Sequence, residues 1–262
     1  MAINFTFFLS ESLKKRKFVS LNTFSGTFAM SKKQESIKNV MEKLSALCQH
    51  MTDDQKRQLE QTIVLQEYKK NEIIYREGDI PQHLLCLLRG KVKVYKEGVG
   101  GRAQTMRLYK PVEYFGYRAY ITGENIHCTA AAFEASLIAK IPLDLLVNFI
   151  RSNNNLAWFF IQSLAKLLGM SDERTVNLTQ KHIRGRLAES LLYLRDSYGL
   201  EEDGCTLSIY LSREDLANLS NMTTSNAIRT LSAFASEHLV AIDGKKIKLI
   251  NEAELEKISR MG

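Results

Sequence analysis

Apolar residues recur along this chain in two textures. Across residues 36–60, Ile37, Val40, Met41, Leu44 and Leu47 fall three and four apart, the spacing of one helix face. Thr52-Asp53-Asp54 then reads as the cap of a second helix. From about Val64 to Ile141 the apolar runs become short and strand-like. They predict strands at Val64–Tyr68, Glu72–Tyr75, Leu84–Leu88, Lys91–Lys96, Gln104–Tyr109, His127–Phe133 and Ser136–Ile141. Gly78-Asp79, Arg89-Gly90, Gly98–Gly101 and Thr122-Gly123 punctuate them. Seven such strands suit a β-sandwich or barrel enclosing a pocket.

Helical spacing then returns. Pro142 opens a short helix to about Ile150, and Asn153–Asn155 starts a longer one to about Thr179. Along the long helix Ala157, Ile161, Leu164, Leu168, Ser171, Thr175 and Leu178 alternate steps of four and three, with Phe160 and Leu167 widening the apolar surface. Two apolar faces call for two partners. One packs on the barrel, and the seam Ile161, Leu164, Leu168, Ser171, Thr175, Leu178 predicts a parallel homodimer. His182–Arg195 begins a further domain with its own helix.

Residues 211–234 carry the most specific pattern. Ser212 is a good N-cap, with Glu214 and Asp215 in the following turn, where negative charge suits the helix dipole. Leu216 and Leu219 give that helix an inward face, and Asn221 tolerates a left-handed turn. Thr223 or Thr224 caps a second helix whose apolar positions are Ala227, Ile228, Leu231 and Phe234. This predicts a helix-turn-helix, whose second helix enters the major groove of double-stranded DNA. Ser212, Arg213, Thr223, Thr224, Ser225, Asn226 and Arg229 are the candidate DNA contacts. Beyond it, two β-rich runs flank Asp243-Gly244, a strong hairpin signal, and Lys245, Lys246 and Lys248 cluster at the tip. A hairpin directly after a helix-turn-helix is the wing of a winged helix, and Lys245 joins the DNA-contacting set.

Composition refines this picture. The 262 residues are 45% hydrophobic and 25% charged, enough for two modest globular domains. No run approaches the ~20 apolar residues of a membrane span, so no membrane partner is expected. The net charge is +7, yet residues 182–262 hold 10 Lys/Arg against 12 Asp/Glu. DNA binding therefore rests on placement of a few cations, not on bulk charge. Cys48, Cys86, Cys128 and Cys205 are scattered without metal-ligand spacing, a pattern suited to a reducing cytoplasm and to no metal site. His127 beside Cys128 is the one pair that suggests a haem ligand. No His-x-His pair supports a cupin-like enzyme, and no catalytic set is evident. In residues 1–30 the basic run Lys14–Lys17 follows the apolar Phe5–Leu9, the wrong order for a secretory signal, and Met30 offers a second start.

The order small barrel, long helix, winged helix-turn-helix resembles the CRP/FNR family of transcription factors, named for the cyclic-AMP receptor protein and the fumarate–nitrate regulator. The segments at Ile73–Asp79, Leu85–Tyr95, Gly185–Leu194 and Leu211–Leu231 carry the resemblance. It implies an α+β chain: an N-terminal tail (1–30), a β-roll or jelly-roll sensor barrel (31–150), a dimerisation helix (151–181) and a C-terminal winged helix-turn-helix (182–262). RNA polymerase would be a further partner. Cyclic-nucleotide binders of the family carry Phe-x-Gly-Glu, whose Glu meets the ribose, and a later Arg that grips the phosphate. Here Tyr117 follows Phe115-Gly116 at the Glu position, and His127 precedes Cys128-Thr129-Ala130 at the Arg position. Ser171-Asp172 stands where the family has Thr-Ser near the base. Gly116, Tyr117, Arg118, His127, Cys128, Thr129 and Ser171 are thus the candidate lining of an effector pocket unsuited to cyclic AMP in the usual manner. Two readings of the pocket stay open, an unidentified small-molecule effector and a barrel filled by its own aromatics that regulates without a ligand, and the cofactor is left unknown. In the recognition helix Thr224-Ser225 replaces the family's Arg-Glu, which implies a different operator.

Overall fold

The computed structural model describes residues 37–98 and 100–262. The readings for residues 1–30, including the second start at Met30, lie outside them.

The chain begins with α1 (37–43) and α2 (Ser45–Cys48), followed by α3 (Asp53–Thr62). Thr52 closes a capping box on α3: its hydroxyl accepts from the Gln55 N–H, and the Gln55 amide oxygen accepts from the Thr52 N–H. Eight strands follow, β1 (Val64–Tyr68), β2 (Ile73–Tyr75), β3 (His83–Arg89), β4 (Val92–Glu97), β5 (Ala103–Tyr109), β6 (Tyr114–Phe115), β7 (Thr129–Ala132) and β8 (Ser136–Pro142), with the short helix α4 (Arg118–Thr122) between β6 and β7. They form two antiparallel four-stranded sheets, ordered β1-β8-β3-β6 and β2-β7-β4-β5.

Strand β3 shows why the sandwich holds. Its run His-Leu-Leu-Cys-Leu-Leu-Arg is apolar throughout because both faces are covered. Leu85 and Leu87 point between the sheets toward Val92, Val94, Phe115, Ala130 and Ile138. Leu84, Cys86 and Leu88 point outward, under the N-terminal helices and α5 (Leu143–Ser152), with Leu44, Leu47, Leu143 and Leu146. At the β3–β4 turn Gly90 has φ +92°, and a Cβ there would fall 2.5 Å from the Ala135 carbonyl oxygen.

The long helix α6 (Asn154–Gln180) starts at an Asn153 cap and buries only Leu156 and Phe160 fully. After it come α7 (Ile183–Tyr198), α8 (Arg213–Leu219), α9 (Thr224–Ser236), the hairpin β9 (Val240–Asp243) and β10 (Lys246–Leu249), and α10 (Glu252–Met261). Leu187, Leu191, Leu194, Leu216, Leu219, Phe234, Leu249 and Leu255 form their core, which extends onto Leu108 and Phe133 of the sensor sheet. The winged helix is therefore packed on the barrel.

Three elements escape the sequence pattern. β6 is two residues long, α4 is five, and α10 begins after the last strand predicted, capped by Asn251 and anchored by Leu255. The wing turn also differs by one residue. Asp243 pairs with Lys246, so Gly244 and Lys245 form the turn. Gly244 alone of the two has positive φ (+54°), the type II′ pattern.

Candidate DNA-binding surface and sensor cavity

Local chemistry builds the helix-turn-helix. The Ser212 hydroxyl accepts from the Asp215 N–H at 3.0 Å and starts α8. Asn221 turns the chain with φ +50°, and the Thr223 hydroxyl accepts from the Asn226 N–H at 3.2 Å to start α9. Of the two threonines left open by the sequence, Thr223 is thus the cap. Ala227, Thr230, Leu231 and Phe234 point inward, leaving Thr224, Ser225 and Arg229 exposed and Asn226 half-buried. Arg229 donates to the Asn226 side-chain oxygen at 2.6 Å, which fixes its guanidinium over the first turn. Ile228, read from the sequence as inward, is instead 46% exposed. Its apolar character had stood in for its position; Ala227, Thr230, Leu231 and Phe234 already fill the inward arc.

The other candidates have divided roles. Ser212 and Thr223 spend their hydroxyls on capping. Arg213 donates to the Gly244 carbonyl at 2.9 Å and so ties α8 to the wing turn. Lys246 faces Glu201 (3.9 Å) and the Tyr210 ring, and Lys248 faces Asp203 (3.3 Å), whose carboxyl is held well below its usual range by hydrogen bonds from Thr206 and Cys205. Lys245 is exposed at the tip.

A cavity of about 560 Å³ opens beside the β4–β5 sheet, under α6. Tyr75, Val94, Tyr109 and Phe115 line its barrel side, and Leu164, Leu167 and Ser171 its helix side. Gly116, Tyr117, Arg118, His127 and Cys128 lie on its wall; Thr129 does not, its hydroxyl accepting from the Glu77 N–H at 3.1 Å. Burial pushes the Tyr75 and Tyr109 phenols and the Cys128 thiol up. Tyr117 is buried, its ring edge-on to Phe160 at 5.3 Å. His127 is exposed and its Nε2 lies 2.9 Å from the Glu124 carboxylate. The wall reaches the second domain at Arg186, Glu189, Ser190, Tyr193 and Leu219.

Arg174, which the sequence reading passed over, joins these parts. From α6 it donates to the carbonyls of Thr105 (2.5 Å), Met106 (3.0 Å) and Leu219 (3.1 Å), and burial holds its pKa below the ordinary value. Lys93 of β4 pairs with Asp215 of α8 at 2.9 Å, and Arg102 donates to Asn221 at 2.7 Å. A lone arginine amid mixed helix positions offered no periodic signal for this.

The predicted seam of α6 divides between two faces. Leu164, Ser171 and Leu178 lie on the cavity wall, Leu164 packed against the barrel core. Ile161 (53%), Leu168 (64%) and Thr175 are exposed, and Trp158 (59%) and Val176 join them. Leu168 reaches both faces, at the cavity rim.

Two family models match this chain: a cyclic nucleotide-binding domain over residues 65–153 and a Crp-like helix-turn-helix domain over 185–258. The chain belongs to the CRP/FNR family of transcription regulators. It is 23% identical over 196 residues to the global nitrogen regulator of Synechococcus elongatus, covering 74% of this chain and 88% of that one. It is 24% identical to the fumarate and nitrate reduction regulatory protein of Vibrio cholerae, covering 82% and 88%. Among solved structures it shares its fold with FixK2 from Bradyrhizobium japonicum, at a TM-score of 0.69 and 21% identity over 75% of this chain and 97% of that one. The chain is thus a DNA-binding transcription regulator of the CRP/FNR type, with a Crp-like helix-turn-helix domain that spans α8, α9 and the β9–β10 hairpin. Among the described residues no helix is long and apolar enough to cross a membrane. The two matched spans lie on either side of α6, the helix whose outer face carries the exposed apolar residues.

Proposed function

We propose that this CRP/FNR regulator binds duplex DNA as a two-fold dimer joined along α6, and that its cavity answers to a small molecule other than cyclic AMP. The observation that carries the dimer is the exposed row Trp158, Ile161, Leu168 and Val176 on a helix of 27 residues. Such a row is costly to leave in water and finds its cover in the same row of a second copy. Two α9 helices then meet half-sites about one helical turn apart. Thr224, Ser225, Asn226 and Arg229 face the base edges, while Lys245 meets phosphate and Arg213 holds the wing beside them. RNA polymerase is the partner through which occupancy of the site becomes a change in transcription.

For the cavity, the support is chemical. Arg107 and Arg118 border it, with aromatic walls at Tyr75, Tyr109 and Phe115, an environment suited to a planar or anionic ligand. Arg174 lies on the same wall and holds the Leu219 carbonyl at the end of α8, so a ligand displacing it reaches the helix-turn-helix directly.

A DNA shift titration tests the leading reading. Changing Arg229 to Ala is expected to cost about 1–3 kcal/mol and to relax base preference at one position of each half-site. An Arg229→Ala protein that holds its best site as tightly as the parent does removes Arg229 from the base-reading set.

A further inference from the structure

We infer that Ile228 reads thymine methyl groups in the major groove and thereby sets part of the operator sequence. The proposal rests on α9 entering that groove. At about 100° per residue, Ile228 lies about 40° round the helix axis from Thr224 and about 60° from Ser225, between the two. The inward arc is already filled by Ala227, Leu231 and Phe234, each 1% exposed or less. Ile228 is left 46% exposed, one turn from the Thr223 cap and next to Arg229. On this exposed surface its neighbours Thr224, Ser225 and Arg229 are polar.

A large β-branched side chain has no hydrogen-bonding capacity, so it gains nothing from phosphates or from most base edges. In the major groove one base feature suits it, the C5 methyl group of thymine. Contact between Ile228 and that methyl would remove both from water and would be lost against cytosine, adenine or guanine. Arg229, with its guanidinium anchored on Asn226 and further N–H groups free to donate, supplies the polar half of the same reading. The pair thus predicts a half-site in which a thymine lies beside a hydrogen-bonded purine.

The test begins with a duplex selected from a random pool by the full-length chain. Each thymine of the selected site is then replaced by deoxyuridine, which pairs identically and lacks only the 5-methyl group. Binding by the parent is expected to weaken about fourfold at one thymine per half-site, and about fifteenfold when both half-sites are changed, the effect of exposing a single buried methyl. The Ile228→Ala protein, whose fold is checked by circular dichroism and whose mass is checked by light scattering, is expected to bind the thymine and deoxyuridine duplexes equally. Three results overturn the inference: silence at every deoxyuridine, a full deoxyuridine effect retained in Ile228→Ala, or a selected half-site without thymine. Failure to select any duplex overturns the DNA reading with it, whereas selective binding with silent deoxyuridines leaves that reading standing and removes only the role of Ile228.

Discussion

Asp215 belongs to the helix-turn-helix yet faces the sensor sheet. Its carboxylate accepts from Lys93 Nζ at 2.9 Å and from the Ser212 hydroxyl at 2.7 Å, with both members of the ion pair under a quarter exposed. Burial by itself raises its pKa, but the bonds from Ser212 and Lys93 and the charge of Lys93 outweigh burial and hold it below its usual value. A carboxyl depressed in the folded state contributes stability above its unfolded pKa, near 4, and loses it as pH falls through the folded value. Asp215→Asn is therefore expected to cost about 1–2 kcal/mol at pH 7, the contribution of a charge-assisted bond in partial burial. The gap between the two proteins in thermal unfolding should narrow as pH drops below about 4. A gap that stays constant from pH 7 to pH 3 would assign the loss to the cap geometry and not to the charge.

At the scale of elements, α6 packs one face on the barrel and leaves another open. Leu164 and Leu167 line the barrel side, while Trp158, Ile161, Leu168 and Val176 stand in solvent. Placing glutamates at Ile161 and Leu168 together would bury two like charges against their symmetry mates in the proposed dimer, which is expensive without counter-charges. Light scattering is expected to show a folded monomer that binds its operator weakly; a folded dimer with full affinity would put the interface on another surface. Leu164 makes a poor probe, because a charge there would strike the barrel core as well. This division also shows what the sequence could and could not convey. A spacing of three and four marks an apolar seam, but it cannot say which positions meet the chain's own barrel and which meet solvent. The strand from Val64 to Tyr68 was legible to the residue because its pattern is bounded by a helix cap and a turn. β6 and α4 were not, since two and five residues are too few to establish a period. Ser212 and Asn221 were legible, and the cap of α9 was narrowed to Thr223 or Thr224, because capping and left-handed turns depend on the residue itself. Arg174 was not, because its three carbonyl partners come from β5 and α8, distant in sequence.

Across the whole molecule, the sensor sheet and α6 are linked to α8 and the turn after it by three contacts: Arg174 to Leu219, Lys93 to Asp215 and Arg102 to Asn221. Two residues of the cavity wall support the proposal that it answers to a molecule other than cyclic AMP. Its phosphate would approach His127, whose Nε2 already lies against the Glu124 carboxylate, a negative charge held low in pKa first by its bond with His127. Its ribose would approach Tyr117, which is buried with its ring against Phe160 and brings no carboxylate to the hydroxyls. Each charge-assisted bond so lost is worth about 1.5–3 kcal/mol, and two of them turn a micromolar site into one of about 0.2 mM or weaker. Calorimetry with cyclic AMP and cyclic GMP is therefore expected to show no saturable heat at concentrations below about 0.1 mM, and neither nucleotide should tighten operator binding. Micromolar binding accompanied by stronger operator affinity would mean that Arg118 or Arg107 grips the phosphate in place of the missing arginine. A charge-reversing Arg118→Glu change, tested in the same titration, would then identify which of the two does so.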